Sequence, residues 1–287
     1  MADPLPAAPR PAPAETSRPV LPDPDAAGLT RAVTGRDQTG AEVTIPVIEE
    51  RPLTIFLNSR EIVTAMTIGD HPRWLALGFL RNQGMLRDSD VVTGVDVDAE
   101  LEVAVVRTAR ETDHESKLAR RTRTSGCAVG TVFGDMMEGL EGLVLPDARV
   151  SLAALHALAK EINTAPSLYL AAGAVHGTVL CEGTRVLAYM EDVGRHNAVD
   201  KIAGWMLDHG VEPAGKVLYT TGRLTSEMVL KCARMGIPAL VSRSGFTAWG
   251  VDLARRFDMT LIGRMRGRRF VCLSGERRLV RDVEDAA

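Results

Sequence analysis

A chain of 287 residues, of which 45% are hydrophobic and 25% are charged, has the composition of a globular protein that buries a sizeable core. Its net charge of -3 argues against a general nucleic-acid-binding protein, because such proteins carry an excess of basic residues. The four cysteines lie far apart at positions 127, 181, 232 and 272 and form no CxxC pair. Neither a disulfide framework nor a zinc knuckle is therefore indicated, and a reducing compartment is favoured.

The first 28 residues contain more than half of the 15 prolines and are rich in alanine, a composition typical of a disordered leader. They lack the basic start and apolar core of a signal peptide. The longest uncharged run, residues 163–181, is interrupted by proline and glycine and does not predict a membrane span. We therefore expect a cytoplasmic protein that does not bind membranes.

Residues 29–110 alternate between short apolar runs, typical of strands, and one amphipathic stretch, typical of a helix. An Asn58-Ser59 turn separates the first two runs, and Gly84 lies just beyond the end of the amphipathic stretch. The pattern predicts a small α+β domain. Its strands are predicted at residues 54–57, 61–67, 91–97 and 101–106, and its helix at 71–81.

Residues 111–150 are predicted to form a mobile linker that carries Cys127. Glycines on both sides give the backbone freedom that suits an exposed thiol. Arg121 and Arg123 lie nearby in the sequence, and cationic neighbours stabilise the thiolate, which is the nucleophilic form. A lone cysteine is more often a small packing residue, but this segment offers no apolar surroundings. The other three cysteines lie in apolar strands and a helix, and we assign them to packing.

Residues 151–287 alternate between strands and helices, which predicts an α/β domain whose parallel or mixed sheet is covered on both faces. Turns rich in Arg, Gly, Ser and Thr follow the strands, and such sheets bind ligands beyond the carboxyl ends of their strands. Since Arg clamps phosphate, these converging turns indicate a phosphorylated ligand, such as a nucleotide. The predicted strands are 174–180, 185–190, 216–219, 238–241, 259–263 and 270–273, with helices at 151–162, from about 197 to 210, from about 225, and at 247–257.

The densest polar corner runs from Met190 to Lys201. Apolar residues spaced as on one helix face, such as Val199 and Ile202, predict an amphipathic helix that Asn197 is expected to cap. Helix N-terminal N–H groups would then point at whatever binds there. For any single corner, a capped helix with a solvated loop is an alternative interpretation that stays open.

The sequence contains neither a phosphate-binding loop nor a zinc-deaminase motif. Residues 210–216 have the spacing of a phosphate-binding loop, but Val217 stands where a Ser or Thr would hold magnesium, and a helix rather than a strand precedes the segment. The signature of a zinc deaminase is missing, because Gly177 and Thr178 follow His176 and no CxxC occurs. We therefore expect no metal site.

Between about residues 50 and 274 the sequence contains the segments RTRTSGCAVG, GAVHGTVL, EDVGRHNAVDK, TTGRLTSEMVLKCARMGIPALVSRSGFT and TLIGRMRGRRFVCLS. Through these segments it resembles the FdhD family, the formate dehydrogenase accessory sulfurtransferases. The resemblance implies a cytidine-deaminase-like mixed-sheet domain without zinc, a smaller N-terminal α+β domain and a homodimer. It also implies sulfur transfer from a cysteine desulfurase, through a cysteine persulfide, to the molybdenum of the bis(molybdopterin guanine dinucleotide) cofactor destined for formate dehydrogenase.

By position, the resemblance assigns the persulfide to Cys127, as the catalytic residue, and cofactor binding to the turn from Arg264 to Arg269. Many members of the family have two cysteines in this loop, whereas Gly130 occupies the second place in this chain. A disulfide within the loop is therefore impossible, but a relay through one persulfide remains chemically complete. The predicted cofactor-binding residues are His176, Arg195, His196, Asn197, Arg223, Arg264, Met265, Arg266, Gly267, Arg268 and Arg269.

Two alternative functions remain open. The first is a carrier of the guanine-nucleotide cofactor in which Cys127 is not a sulfur relay. The second is an enzyme that hydrolyses or deaminates nucleotides, but the missing metal ligands argue against it.

Overall fold

A computed structural model of the chain describes residues 18–87, 89–110, 137 and 139–281. Cys127 and residues 1–17 of the predicted leader lie outside these ranges.

A hairpin, a four-stranded sheet and one helix form the N-terminal part of the molecule. The elements are β1 (Thr30–Arg36), β2 (Glu42–Ile48), β3 (Arg51–Leu57), β4 (Arg60–Thr67), α1 (Pro72–Asn82), β5 (Val92–Asp98) and β6 (Val103–Thr108). β1 and β2 pair with each other, and the four-stranded sheet has the order β4-β3-β6-β5. Its β3 and β6 are parallel and its other pairs antiparallel. One side of α1 packs on this sheet through Leu75, Leu77 and Leu80.

A six-stranded sheet flanked by helices forms the rest. The elements are β7 (Val150–Ser151), α2 (Leu152–Thr164), α3 (Leu168–Ala172), β8 (His176–Glu182), β9 (Arg185–Asp192), α4 (Arg195–His209), β10 (Lys216–Thr220), α5 (Ser226–Arg234), β11 (Ala239–Ser242), α6 (Ala248–Arg256), β12 (Thr260–Arg266), β13 (Arg269–Ser274) and β14 (Leu279–Val280). The strand order is β13-β12-β11-β10-β8-β9. β10, β11 and β12 are mutually parallel, and β8, β9 and β13 join by antiparallel pairing.

Both faces of the six-stranded sheet are covered, as the sequence predicts. Successive residues of a strand point to opposite faces. Leu218 and Leu240 accordingly belong to a core shared with α4, α5 and α6. Val217 and Val241 belong to a second core, which α2 covers. The mixed α/β class is therefore confirmed, while the likeness to cytidine deaminases stays a prediction.

Helix α4 is buried on almost every side, because it lies between the sheet and α1. The predicted apolar face, from Val199 to Met206, lies in the core. The opposite side is buried as well, since Ala198 to Met206 are all buried, so the expectation of a solvent-facing polar side was wrong. The expected cap was also wrong. The helix begins at Arg195 after Gly194, which places Asn197 inside the first turn.

Glycines allow α1 and α4 to cross at very short range. A Cβ atom on Gly78 would lie 1.7 Å from the backbone oxygen of Asp200, and one on Gly204 would lie 1.9 Å from that of Trp74. Only hydrogen atoms fit at these positions. This contact joins the helix of the small sheet to the central helix of the large one.

Other predicted elements are found within a few residues of their expected ends, including the Asn58–Ser59 turn and the β8–β9 hairpin. The hairpin of β1 and β2, the five-residue α3 and the two-residue strands β7 and β14 were not predicted. At the end of the predicted leader, the backbone of Val20 pairs with the outer edge of β9, at Leu187 and Tyr189. In the predicted linker, Leu140 and Leu145 are buried in the core that α4, α5 and α6 share.

The thiols of Cys181 and Cys232 are fully buried and that of Cys272 is partly buried. They lie in β8, α5 and β13, which confirms their assignment to packing. Burial raises the pKa of all three, so they are protonated at neutral pH.

Candidate functional site at the carboxyl edge of the large sheet

The polar turns converge on one edge of the six-stranded sheet, as expected. β9 runs parallel to β10, because each is antiparallel to β8. The carboxyl ends of β9, β10, β11 and β12 therefore meet at this edge. His176 lies there too, as the first residue of β8, opposite Asp192. The β12–β13 turn completes the edge.

Hydroxyl groups at the strand ends shape these turns. Ser242 donates a hydrogen bond of 2.6 Å to the backbone oxygen of Gly222, whose N–H donates to Thr220 at 3.1 Å. A Cβ on Gly222 would lie 2.9 Å from the Arg195 side chain, so glycine allows Arg195 to pack over this turn. The turn after β10 is thereby held against the start of α4.

His176 is held by the same turn. Its Nδ1 lies 3.2 Å from Oγ1 of Thr221, which also accepts a 3.0 Å hydrogen bond from the backbone N–H of Gly177. Burial lowers the pKa of His176, and the charges of Arg195 and Arg223 lower it further. The imidazole is therefore neutral at pH 7 and has two guanidinium groups as neighbours.

His196 lies deeper in the same cluster, with its side chain 12% exposed. Burial, followed by the charges of Lys231 and Arg195, lowers its pKa to about 2. Its Nε2 is 3.2 Å from a carboxylate oxygen of Glu227, but the alignment is not that of a hydrogen bond, and a neutral imidazole makes no ion pair. The edge thus combines two neutral imidazoles with the positive charges that lower their pKa values and with the carboxylate of Glu227.

The β12–β13 turn presents arginines to solvent. Arg264 has a left-handed backbone (φ 54°) at an irregularity in the pairing of β12 with β13, and its N–H donates to the oxygen of Ser244 at 2.7 Å. Arg264, Arg266, Arg268 and Arg269 are exposed, and so is Gly267. Met265 is only 2% exposed and packs in the core under α2. The arginine side chains of this turn are therefore the groups placed to reach a ligand.

Asn197 is placed differently from the other predicted site residues. Its amide donates to the backbone oxygen of Met66 in β4 at 2.8 Å and to Asp192 at 3.0 Å. Asp192 also accepts a 2.5 Å hydrogen bond from Thr67. The side chain of Asn197 thus binds the small sheet to the large domain, a role that the sequence did not suggest.

Buried ion pairs also connect the N-terminal part of the molecule to the large domain. Lys201 lies 2.6 Å from Asp192 and also pairs with Asp70, just before α1. Burial alone would lower the pKa of Lys201, but the two carboxylates more than offset it, so the pKa is raised. Much of the string EDVGRHNAVDK therefore serves tertiary structure. A second pair joins Lys231 to Asp200 at 2.5 Å, and Asp200 also accepts from Asn82 in α1 at 2.7 Å.

Glu191, the first residue of that string, caps another helix. Its carboxylate accepts hydrogen bonds from the backbone N–H groups of Leu168 and Tyr169, at 2.7 and 2.9 Å, at the start of α3. This interaction fixes the segment that leads into β8 and His176.

Two residues that the sequence analysis did not single out also lie at this edge. Arg243, at the end of β11, has its guanidinium 5.4 Å from the ring centre of Tyr169 and donates to Asn163 at 3.2 Å. Trp249, in the first turn of α6, is 52% exposed.

No helix in the described ranges is long and apolar enough to cross a membrane. Within those ranges no group of His, Cys, Asp or Glu is arranged to hold a metal ion.

These features define a mixed α/β protein with arginines and neutral histidines clustered at the carboxyl edge of its main sheet. The chain belongs to the FdhD/NarQ family, whose model it matches over residues 48–280. It is 30% identical over 227 residues to the sulfur carrier protein FdhD of Bacillus pumilus, and the match covers 78% of this chain and 86% of that protein. It is 30% identical over 238 residues to the sulfur carrier protein FdhD of Wolinella succinogenes, and the match covers 81% of this chain and 82% of that protein.

A solved structure gives the same result. The crystal structure assigned to a formate dehydrogenase accessory protein of Desulfotalea psychrophila superposes with a TM-score of 0.70 at 30% identity. The match covers 88% of this chain and 98% of the other.

Proposed function

We propose that this protein is a sulfur carrier that serves a formate dehydrogenase, and that it acts as a sulfurtransferase in the cytoplasm. The observation that carries the proposal is the family match over residues 48–280, within which the similar curated proteins are named sulfur carrier protein FdhD. The accessory protein of similar structure supports formate dehydrogenase as the client.

The sulfur relay is proposed to use Cys127, which lies outside the described residues. Its thiolate attacks the terminal sulfur of a persulfide on a cysteine desulfurase, and the desulfurase cysteine leaves as a thiolate. Cys127 then carries the sulfur as a persulfide and releases it to the molybdenum of the bound cargo. The transferred atom becomes sulfide by taking two electrons from the metal, and Cys127 returns to a thiolate.

The cargo is proposed to be molybdenum bis(molybdopterin guanine dinucleotide), with its guanine-nucleotide ends at the carboxyl edge of the large sheet. The support is electrostatic. Arg195 and Arg223 lie close enough to His176 to lower its pKa, and a phosphate would bring compensating negative charge. The exposed arginines of the β12–β13 turn extend the cationic surface along the same edge. A homodimer is proposed from the family resemblance alone.

The relay is tested by incubating the protein with a cysteine desulfurase and cysteine, then measuring intact mass and activation of formate dehydrogenase. The unmodified protein is expected to gain one sulfur, and Cys127→Ala to gain none and to activate nothing. Cys272→Ala is the control, because that thiol is partly buried in β13. Full activation by Cys127→Ala would remove the relay and leave a cofactor carrier.

The cargo site is tested by titrating the protein with GDP in a calorimeter. Replacing both Arg266 and Arg268 with Ala should weaken binding about a hundredfold or more, because it removes two charged hydrogen bonds to phosphate of about 1.5 kcal/mol or more each. Arg185→Ala is the control, since Arg185 is exposed at the opposite edge of the same sheet. Unchanged affinity in the double variant would contradict the placement of the nucleotide at this turn.

A further inference from the structure

Trp249 differs from the other two tryptophans in its exposure. Its residue surface is 52% exposed, whereas Trp205 is 1% exposed and Trp74 is partly buried. Isolated exposed apolar side chains are ordinary on protein surfaces. The position of Trp249 is more informative than its exposure. Helix α6 begins directly after the turn that follows β11, so Trp249 lies at the carboxyl edge of the large sheet.

The start of α6 is joined to the turn that carries Arg223. The N–H of Leu224 donates to the oxygen of Gly245 at 2.9 Å, and the N–H of Thr247 donates to the oxygen of Leu224 at 3.0 Å. A Cβ on Gly250 would lie 2.8 Å from that same Leu224 oxygen. The first turn of α6 therefore packs directly on the residue after Arg223.

The backbones of Arg223 and Trp249 are consequently close together along this edge. Each lies one residue from the contact between Leu224 and Gly250, and consecutive Cα atoms are about 3.8 Å apart. Arg223 is exposed and its charge acts on both His176 and His196. An exposed indole is thus attached to backbone that packs directly against the turn carrying Arg223.

A nucleotide has the complementary chemistry, since it joins anionic phosphates to a flat aromatic base. We propose that Trp249 is the surface on which the guanine base of a bound nucleotide stacks while its phosphates lie beside Arg195 and Arg223. This inference rests on the proposed function, from which the guanine nucleotide is taken. Because every base has a stacking face, Trp249 supplies affinity for the base and does not itself select guanine.

The test compares GDP with pyrophosphate, which has the phosphates but no base. Binding to the full-length protein is measured by calorimetry. Trp249→Ala is expected to lower the affinity for GDP about tenfold, the effect typical of losing one stacked base, and to leave the affinity for pyrophosphate unchanged. Trp249→Phe should keep most of the affinity for GDP. Leu207→Ala is the control, since Leu207 is 43% exposed near the far end of α4.

Tryptophan fluorescence gives a second reading. GDP should quench the emission of the unmodified protein, and the quenching should disappear in Trp249→Phe although GDP still binds. Equal GDP affinity in Trp249→Ala and the unmodified protein would overturn the inference and leave the proposed function standing. An equal loss of GDP and pyrophosphate binding would also overturn it, because Trp249 would then act on the phosphates. Failure of the unmodified protein to bind GDP would overturn the guanine-nucleotide part of the proposed function and this inference with it.

Discussion

Replacing Gly204 with alanine tests the helix crossing that joins the two parts of the molecule. The new Cβ would lie 1.9 Å from the backbone oxygen of Trp74 and 2.6 Å from its carbonyl carbon. Close carbon–oxygen contacts are about 3.3 Å, so α1 and α4 would have to separate by about 1.4 Å. The clash involves backbone of another helix, which cannot rotate away as a side chain can.

The expected change in the free energy of unfolding follows from two opposing effects. Overpacking destabilises by about 1–3 kcal/mol, and a backbone clash belongs at the upper end of that range. Alanine is favoured over glycine inside a helix by about 1 kcal/mol. We therefore expect a net loss of about 2 kcal/mol, with a further loss if the hydrogen bond from Asn82 to Asp200 breaks.

Urea unfolding followed by circular dichroism measures this difference. Gly35→Ala is the control, because no atom lies within 4 Å of the Cβ position at Gly35, and its stability should change by less than about 0.5 kcal/mol. The sign of the Gly204 result is decisive. If Gly204→Ala is as stable as the unmodified protein, or more stable, the helix propensity has prevailed and the close crossing does not exist.

The remaining predictions concern buried charge and pH. Lys201→Met leaves Asp192 without its buried partner and should destabilise by about 3–5 kcal/mol in urea unfolding; Lys216→Met, which breaks a more exposed pair with Glu182, should lose about 1 kcal/mol or less. Equal losses in the two variants would refute the fastening role of Lys201. His71, His176 and His196 all have a lowered pKa, chiefly through burial, so they remain neutral in the folded protein at a pH where the unfolded chain binds protons. Their contribution to stability is complete above the unfolded pKa of about 6.5 and is lost as the pH falls below it, by up to about 1.4 kcal/mol per pH unit for each group. Unfolding measured from pH 7.5 to 5 should show this loss, and the slope should be smaller in His196→Gln; an unchanged slope would show that His196 accepts a proton in the folded state.

The sequence predicted the sheet and its edge well, because both depend on local patterns. The buried strands of the large sheet are continuous apolar runs, and the topology of parallel strands brings their carboxyl ends together without further information. The turns containing Arg223 and Arg264 were therefore expected to meet at one edge, and they do. The five-residue α3 was missed, because it is too short to show a helical period.

The sequence could not predict which polar residues of the central string serve structure. Asn197 was expected to cap α4, but its amide binds the backbone of Met66, 131 residues away. Asp200 and Lys201 break the apolar pattern of α4, yet both are buried, because Lys231 neutralises Asp200 and Asp70 neutralises Lys201. Such pairing depends on the way α1 crosses α4, and nothing in the local sequence encodes it. Trp249 was overlooked for the same reason, since its neighbours belong to another turn.

The three packed cysteines have a practical consequence for following sulfur through this protein. Because Cys181, Cys232 and Cys272 are held as thiols of raised pKa, they should react slowly with alkylating reagents at neutral pH. A brief pulse of such a reagent should therefore leave these three positions unmodified, so that the isotope or mass tag recovered in a peptide map reports on position 127 with little background.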